Sequence, residues 1–112
     1  MKRIYAAFKY ALQGLKHALK SEFAFQVEFI LSVFLIPFAF VIGQNSLEVV
    51  FLVASTLLIL IVELLNTSIE TTLNRIGQED NDITKIAKDL ASGSVLLALV
   101  LWIFVWSMIV IF

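Results

Sequence analysis

The chain has 112 residues, of which 61% are hydrophobic and only 15% charged, with a mean hydropathy of +0.98. Typical soluble domains carry about 25% charged residues, and a soluble chain this small would leave large apolar areas in water, so an ordinary soluble globule is excluded. The absence of cysteine excludes disulfides and thiol chemistry; eight Lys/Arg against nine Asp/Glu leave a net charge of −1, and the placement of those charges says more than their sum.

Residues 1–21 read as an amphipathic interfacial helix. Ile4, Phe8, Ala11, Leu12, Leu15 and Leu19 recur at helical spacing, while Lys2, Lys9, Gln13, Lys16 and Lys20 take the other face. Basic residues opposite an apolar stripe suit an anionic leaflet, and Tyr5 and Tyr10 suit the headgroup level. Residues 29–47 hold no ionisable side chain, and 19 residues of helix span about 28 Å, near the hydrocarbon thickness. This run starts too far from the N-terminus, and lacks the small-residue cleavage pattern, to be a signal peptide. Pro37 falls inside it, which a membrane helix tolerates. Gly43-Gln44-Asn45-Ser46 is a cluster of turn formers, short enough to make its flanking helices antiparallel neighbours. A second span covers 49–69, interrupted only by Glu63, with its helix extending to about residue 75. A polar loop is expected over 76–86, with Asp82 or Thr84 capping the helix that follows. The third span covers 90–112 and carries no charge. The fold class expected is therefore an all-α membrane protein: one amphipathic surface helix and three transmembrane helices in a single membrane domain. All eight basic residues precede the first span or lie between the second and third. The positive-inside rule then puts the N-terminus in the cytoplasm and Phe112 outside.

The chemistry concentrates at the end of the second span. On a helix Glu63, Asn66, Thr67, Glu70 and Asn74 fall at i, i+3, i+4, i+7 and i+11, a single polar stripe. Single polar residues in a span are often interhelical glue, but five on one stripe exceed what glue requires. A carboxyl at membrane depth is costly and marks a functional site by default. In a partly dry site it suits a general base, and interfacial carboxylates can hold a divalent cation with phosphates. Glu22 or Glu28, on the same membrane side, would complete such a set, with Arg75 and Lys88 to attract phosphate. The familiar glycine-rich nucleotide loops are absent. Composition and spacing alone leave phosphoryl transfer and a small proton-conducting, ion-conducting or transport subunit using Glu63 equally open.

The run Glu63-x-x-Asn66-Thr67-Ser68-Ile69-Glu70 resembles the signature of the prokaryotic diacylglycerol kinase family. The likeness extends through Tyr10 and Gly14, Glu22-x-Ala24-Phe25-x-x-Glu28, Arg75-Ile76-Gly77 and Ala87-Lys88-Asp89-x-x-Ser92. It implies a homotrimer of three-helix subunits with shared active sites in the bacterial cytoplasmic (inner) membrane. It further implies ATP and diacylglycerol as substrates, Mg²⁺ as cofactor, phosphatidic acid as product, membrane lipids as surroundings and no nucleic-acid partner. Residue by residue, it implies Glu63 as the catalytic base with Asn66 beside it, and Glu22 and Glu70 as metal ligands that also serve ATP. Arg3, Tyr10, Glu79, Asp80, Asn81, Lys88 and Asp89 complete the implied ATP set. Arg3, Ala24, Phe25, Gln26, Val27, Glu28, Glu63 and Ser92 form the implied lipid-contacting set. The chain departs from the family pattern at Asn74, where Asp is usual, at Leu12, where an aromatic is common, and at Gln26, where a basic residue is common. Some family members phosphorylate undecaprenol with the same chemistry residues; Arg75-Ile76-Gly77 leans toward the diacylglycerol type. An inactive homologue is the remaining alternative, and the retained Glu22, Glu63 and Glu70 argue against it.

Overall fold

The computed structural model describes residues 1–76 and 82–112. Within them the chain is four helices: α1 (Lys2–Ser21), α2 (Phe23–Ile42), α3 (Ser46–Ile76) and α4 (Asp82–Val110). The last three are long and apolar enough to cross a membrane. α3 packs against both α2 and α4 and so forms the middle of the bundle. Ala39, Leu52 and Trp106 make a small core where the three helices meet, flanked by Leu35, Val53 and Trp102. Most other large apolar side chains face outward, as expected where the solvent is lipid.

The helix bounds differ from the charge-free stretches of the sequence: the expected first span, 29–47, is corrected at its far end, where α2 stops at Ile42 before the Gly43 turn and residues 46 and 47 already belong to α3. α2 begins at Phe23, before Glu28, because a helix carries an acidic residue at its membrane edge as readily as an apolar one. The expected loop over 76–86 is corrected at its far side, where residues 82–86 already belong to α4. Asp82-Ile83-Thr84-Lys85-Ile86 holds neither Gly nor Pro, and its acidic first residue suits the positive end of the helix dipole. α3 runs 31 residues without a break, about 46 Å, well beyond a hydrocarbon core of about 30 Å.

α1 and α2 meet at Glu22, whose extended backbone (φ −109°, ψ 106°) ends one helix and starts the next. The Gln26 side-chain amide donates to the Leu19 carbonyl at 2.9 Å, satisfying one of the acceptors that a helix end leaves open. At the opposite end of the bundle, the Asn45 side-chain oxygen accepts the Glu48 N–H at 2.9 Å. The Glu48 carboxylate accepts the Gln44 N–H, also at 2.9 Å. This reciprocal cap starts α3 and closes the turn. The buried hydroxyls of Ser32, Ser55 and Thr56 return hydrogen bonds to carbonyls of their own helices, which satisfies them without water. Between helices, Trp102 Nε1 donates to Thr56 Oγ1 at 3.0 Å and joins α4 to α3.

Candidate functional site

The up-and-down path gathers the ends that carry charge. The start of α2, the end of α3 and the start of α4 lie together, as the hydrogen bond from Lys88 Nζ to Asn74 Oδ1 at 2.8 Å demonstrates. All eight basic residues belong to this end of the bundle or to α1.

Glu63 lies about three and a half turns before the end of α3 at Ile76 and is 6% exposed. Facing it from α2 is Glu28, whose carboxyl lies against that of Glu63. The Oε1 atom of Glu28 is buried and has no hydrogen-bond partner. Two carboxyl groups in contact repel when both are ionised, so the pair suits a place where a proton is taken up and held. One turn along α3, Asn66 Nδ2 donates to Glu70 Oε1 at 3.1 Å. That bond fixes both side chains and leaves Asn66 Oδ1 buried without a donor. An unpaired buried acceptor costs roughly 1–3 kcal/mol unless a ligand or another chain supplies the donor.

From Glu63 to Glu70 the helix rises about 10 Å, and from Glu28 back to Glu22 about 9 Å. With α2 and α3 antiparallel, Glu22 and Glu70 therefore stand at a similar height, on the outer side of the Glu28–Glu63 pair. Glu22 is half-buried; its backbone N–H donates to the Ala18 carbonyl at the end of α1, while its side chain makes no capping hydrogen bond to α2, which leaves the carboxylate uncommitted. Among the described residues no three acidic or histidine side chains converge on a common point.

The remaining predicted residues distribute as follows. Phe25 is buried beneath the α1–α2 junction, Gln26 is tied to α1, and Ala24 and Val27 are exposed. Lys88 reaches Asn74, so the amide that replaces the usual carboxylate keeps a hydrogen bond but forms no ion pair. Asp89 instead pairs with Lys85 at 2.7 Å on an exposed face of α4, and Ser92 is exposed one turn on. Arg3 and Tyr10 are exposed on α1, and Arg3 sits about 27 Å along the helix from Ser21. No hydrogen bond or ion pair joins either of them to the α3 stripe within the described residues. Glu79, Asp80 and Asn81 lie outside the described residues. The Glu28–Glu63 pairing joins two helices and is not contained in the helical spacing of either. Glu28 sits three residues beyond the buried Phe25 and four before the buried Ser32, a spacing that puts it on the inward face of α2.

A sequence model of prokaryotic diacylglycerol kinase matches residues 9–110. The chain is 43% identical to the diacylglycerol kinase of Haemophilus influenzae, over 93% of this chain and 88% of the relative. It is 39% identical to the diacylglycerol kinase of Pseudomonas aeruginosa, over 97% and 89% of the two chains. It is 33% identical to that of Escherichia coli, over 96% and 88%. With near full-length matches of this kind, and with three helices fit to cross a membrane, the chain belongs to the prokaryotic diacylglycerol kinase family.

Proposed function

We propose that this protein is a lipid kinase of the bacterial inner membrane that transfers the γ-phosphate of ATP to the hydroxyl of diacylglycerol, giving phosphatidic acid and ADP. The observation that carries the reading is the buried Glu63 carboxyl faced by Glu28, at the polar end of a membrane-length helix. A lipid hydroxyl reaches that depth without leaving the membrane, whereas a soluble alcohol does not. Glu63 takes the hydroxyl proton as the alcohol oxygen bonds to the γ-phosphorus, and the bond from that phosphorus to the β,γ-bridging oxygen breaks, releasing ADP. Glu28 keeps the Glu63 carboxyl from turning away. Asn66 orients Glu70 through its amide.

Glu22 and Glu70 would hold Mg²⁺, their similar height and the uncommitted Glu22 carboxylate being suited to a cation shared with phosphates. Bound there, Mg²⁺ neutralises charge on the transferring phosphate oxygens. Arg3, Tyr10, Lys88 and Asp89, with Glu79, Asp80 and Asn81, are the proposed nucleotide contacts. Ala24 to Glu28 and Ser92 are the proposed lipid contacts. The site works on the cytoplasmic face, with the N-terminus inside and the C-terminus outside, in keeping with the basic end of the bundle. It is completed in a homotrimer, in keeping with Arg3 and Tyr10, which stand exposed and apart from the stripe in one chain.

The test is purified protein in lipid micelles with ATP and Mg²⁺, given diacylglycerol and undecaprenol side by side. Phosphatidic acid is the expected product. Turnover of undecaprenol alone would move the assignment to that alcohol, and no turnover of either would end the lipid-kinase reading. Crosslinking in membranes that yields only monomer would refute the shared site.

A further inference from the structure

A crevice of about 120 Å³ opens beside the carboxyl pair and is used by nothing described so far. Glu28 stands at one end of it, and its walls are Leu31 and Leu35 of α2, Thr56 and Ile59 of α3, and Leu99 and Trp102 of α4. α2 and α4 each pack on α3, so the crevice is the gap between them, and the half-exposed Leu31 and Leu99 stand on its walls. From Glu63 to Thr56 α3 descends seven residues, which makes the crevice about 10 Å deep. Its far end is closed by the Trp102 indole, pinned by the hydrogen bond to Thr56 Oγ1 and stacked against Trp106 at 5.3 Å between ring centroids. Apolar cavities of about 150 Å³ stay dry and accept hydrocarbon, so an apolar guest suits this one better than water. Its mouth sets the kind of guest: Glu28, the one charged residue that lines it, has its carboxyl beside that of Glu63, so the apolar crevice opens next to the carboxyl pair.

We infer that this crevice is the subsite for an acyl chain of the lipid alcohol, with Trp102 as its floor and the residue that sets chain selectivity. The inference rests on the lipid-kinase reading and names where that substrate's tail goes. The lipid hydroxyl sits beside the Glu28–Glu63 pair, on Glu63, and the chain beneath it runs toward Trp102. Removing the indole deepens the crevice toward the Ala39–Leu52–Trp106 core. Losing only the hydrogen bond frees the indole to swing.

The experiment compares kcat/KM for diacylglycerols of short, medium and long acyl chains in mixed micelles. Trp102→Ala is expected to shift the long-over-short preference by roughly tenfold or more, since each methylene in an apolar pocket discriminates on that scale. Trp102→Phe and Thr56→Val, which keep bulk but lose the hydrogen bond, shift it less and in the same direction. An active Trp102→Ala protein with the wild-type preference would overturn the proposal. A second measurement needs no variant: diacylglycerol carrying a diazirine on its acyl chain is photolysed with wild-type protein. Labelling at the crevice walls, Leu31, Leu35, Thr56, Ile59, Leu99 or Trp102, is expected, and labelling confined to residues outside them would overturn the subsite. Wild-type protein that labels in the crevice yet phosphorylates no lipid would instead refute the kinase reading alone.

Discussion

Gly43 ends α2 with φ −69° and ψ 128°, a conformation open to any residue, so its glycine is required by space rather than by backbone freedom. A Cβ at this position would lie 2.5 Å from Val49 Cγ2, 3.0 Å from the Ala39 carbonyl oxygen and 3.2 Å from the Val49 nitrogen. Carbon atoms pack at about 3.5–4.0 Å, so Gly43→Ala must push the first contact apart by about 1 Å. Val49 has little room to yield: its β-branched side chain is stiff, and its N–H is held by the Asn45 carbonyl at 3.2 Å. The turn itself must open. Overpacking of this kind costs about 1–3 kcal/mol, while replacing glycine at a compatible φ/ψ returns about 0.4–1 kcal/mol through the unfolded state. The net expectation is a loss of about 1–2 kcal/mol, or about 5–30-fold in the unfolding equilibrium. Reversible unfolding in mixed micelles, with sodium dodecyl sulfate as denaturant and helix content as the signal, measures it. Val49→Ala removes the nearest of the three contacts, so the double variant should recover part of the loss. A Gly43→Ala protein as stable as wild type would refute the packing argument at this turn.

At the same turn, Asn45→Ala deletes the side-chain acceptor that caps α3 and should cost about 1 kcal/mol in the same unfolding measurement. Glu63→Gln should lower kcat about 10²–10⁴-fold while leaving the KM for ATP within a few-fold, read in the kinase assay. Glu70→Gln should instead raise the KM for Mg·ATP with a smaller change in kcat, because the Asn66 amide would still find an oxygen but the negative charge would be gone. Equal effects of the two substitutions on both parameters would contradict the separate roles assigned to them.

The membrane spans were legible because lipid enforces a simple rule, and runs of 19 to 23 residues without a basic side chain leave little choice of element. Glu63, Asn66 and Glu70 were legible because helical spacing alone puts them on one stripe. The expected loop over 76–86 is too long because Asp82, Thr84 and Lys85 are polar, and polarity does not oppose a helix that lies outside the hydrocarbon. The facing of Glu28 and Glu63 depends on how far α2 is shifted along α3. That shift is fixed by packing at Ala39 and Leu52 and by the turn at Gly43, none of which the periodicity of either helix contains. The cap at Asn45 was readable in principle, since Asn45 and Glu48 have the spacing of a reciprocal cap, but the segment was read only as turn formers. Trp102 and Thr56 lie 46 positions apart in helices of uniform apolarity, so only the fold joins them.

The unbroken course of α3 has a consequence for where the reactants meet. One rigid rod carries Glu63 and, two turns on, Glu70, so the depth of the base below the water boundary is fixed by the thickness of the bilayer around the rod. The nucleotide must reach inward to the lipid, and the lipid need not climb out. A thicker membrane would sink Glu63 further from the nucleotide and a thinner one would lift it, which makes the composition of the surrounding bilayer a control on turnover in its own right.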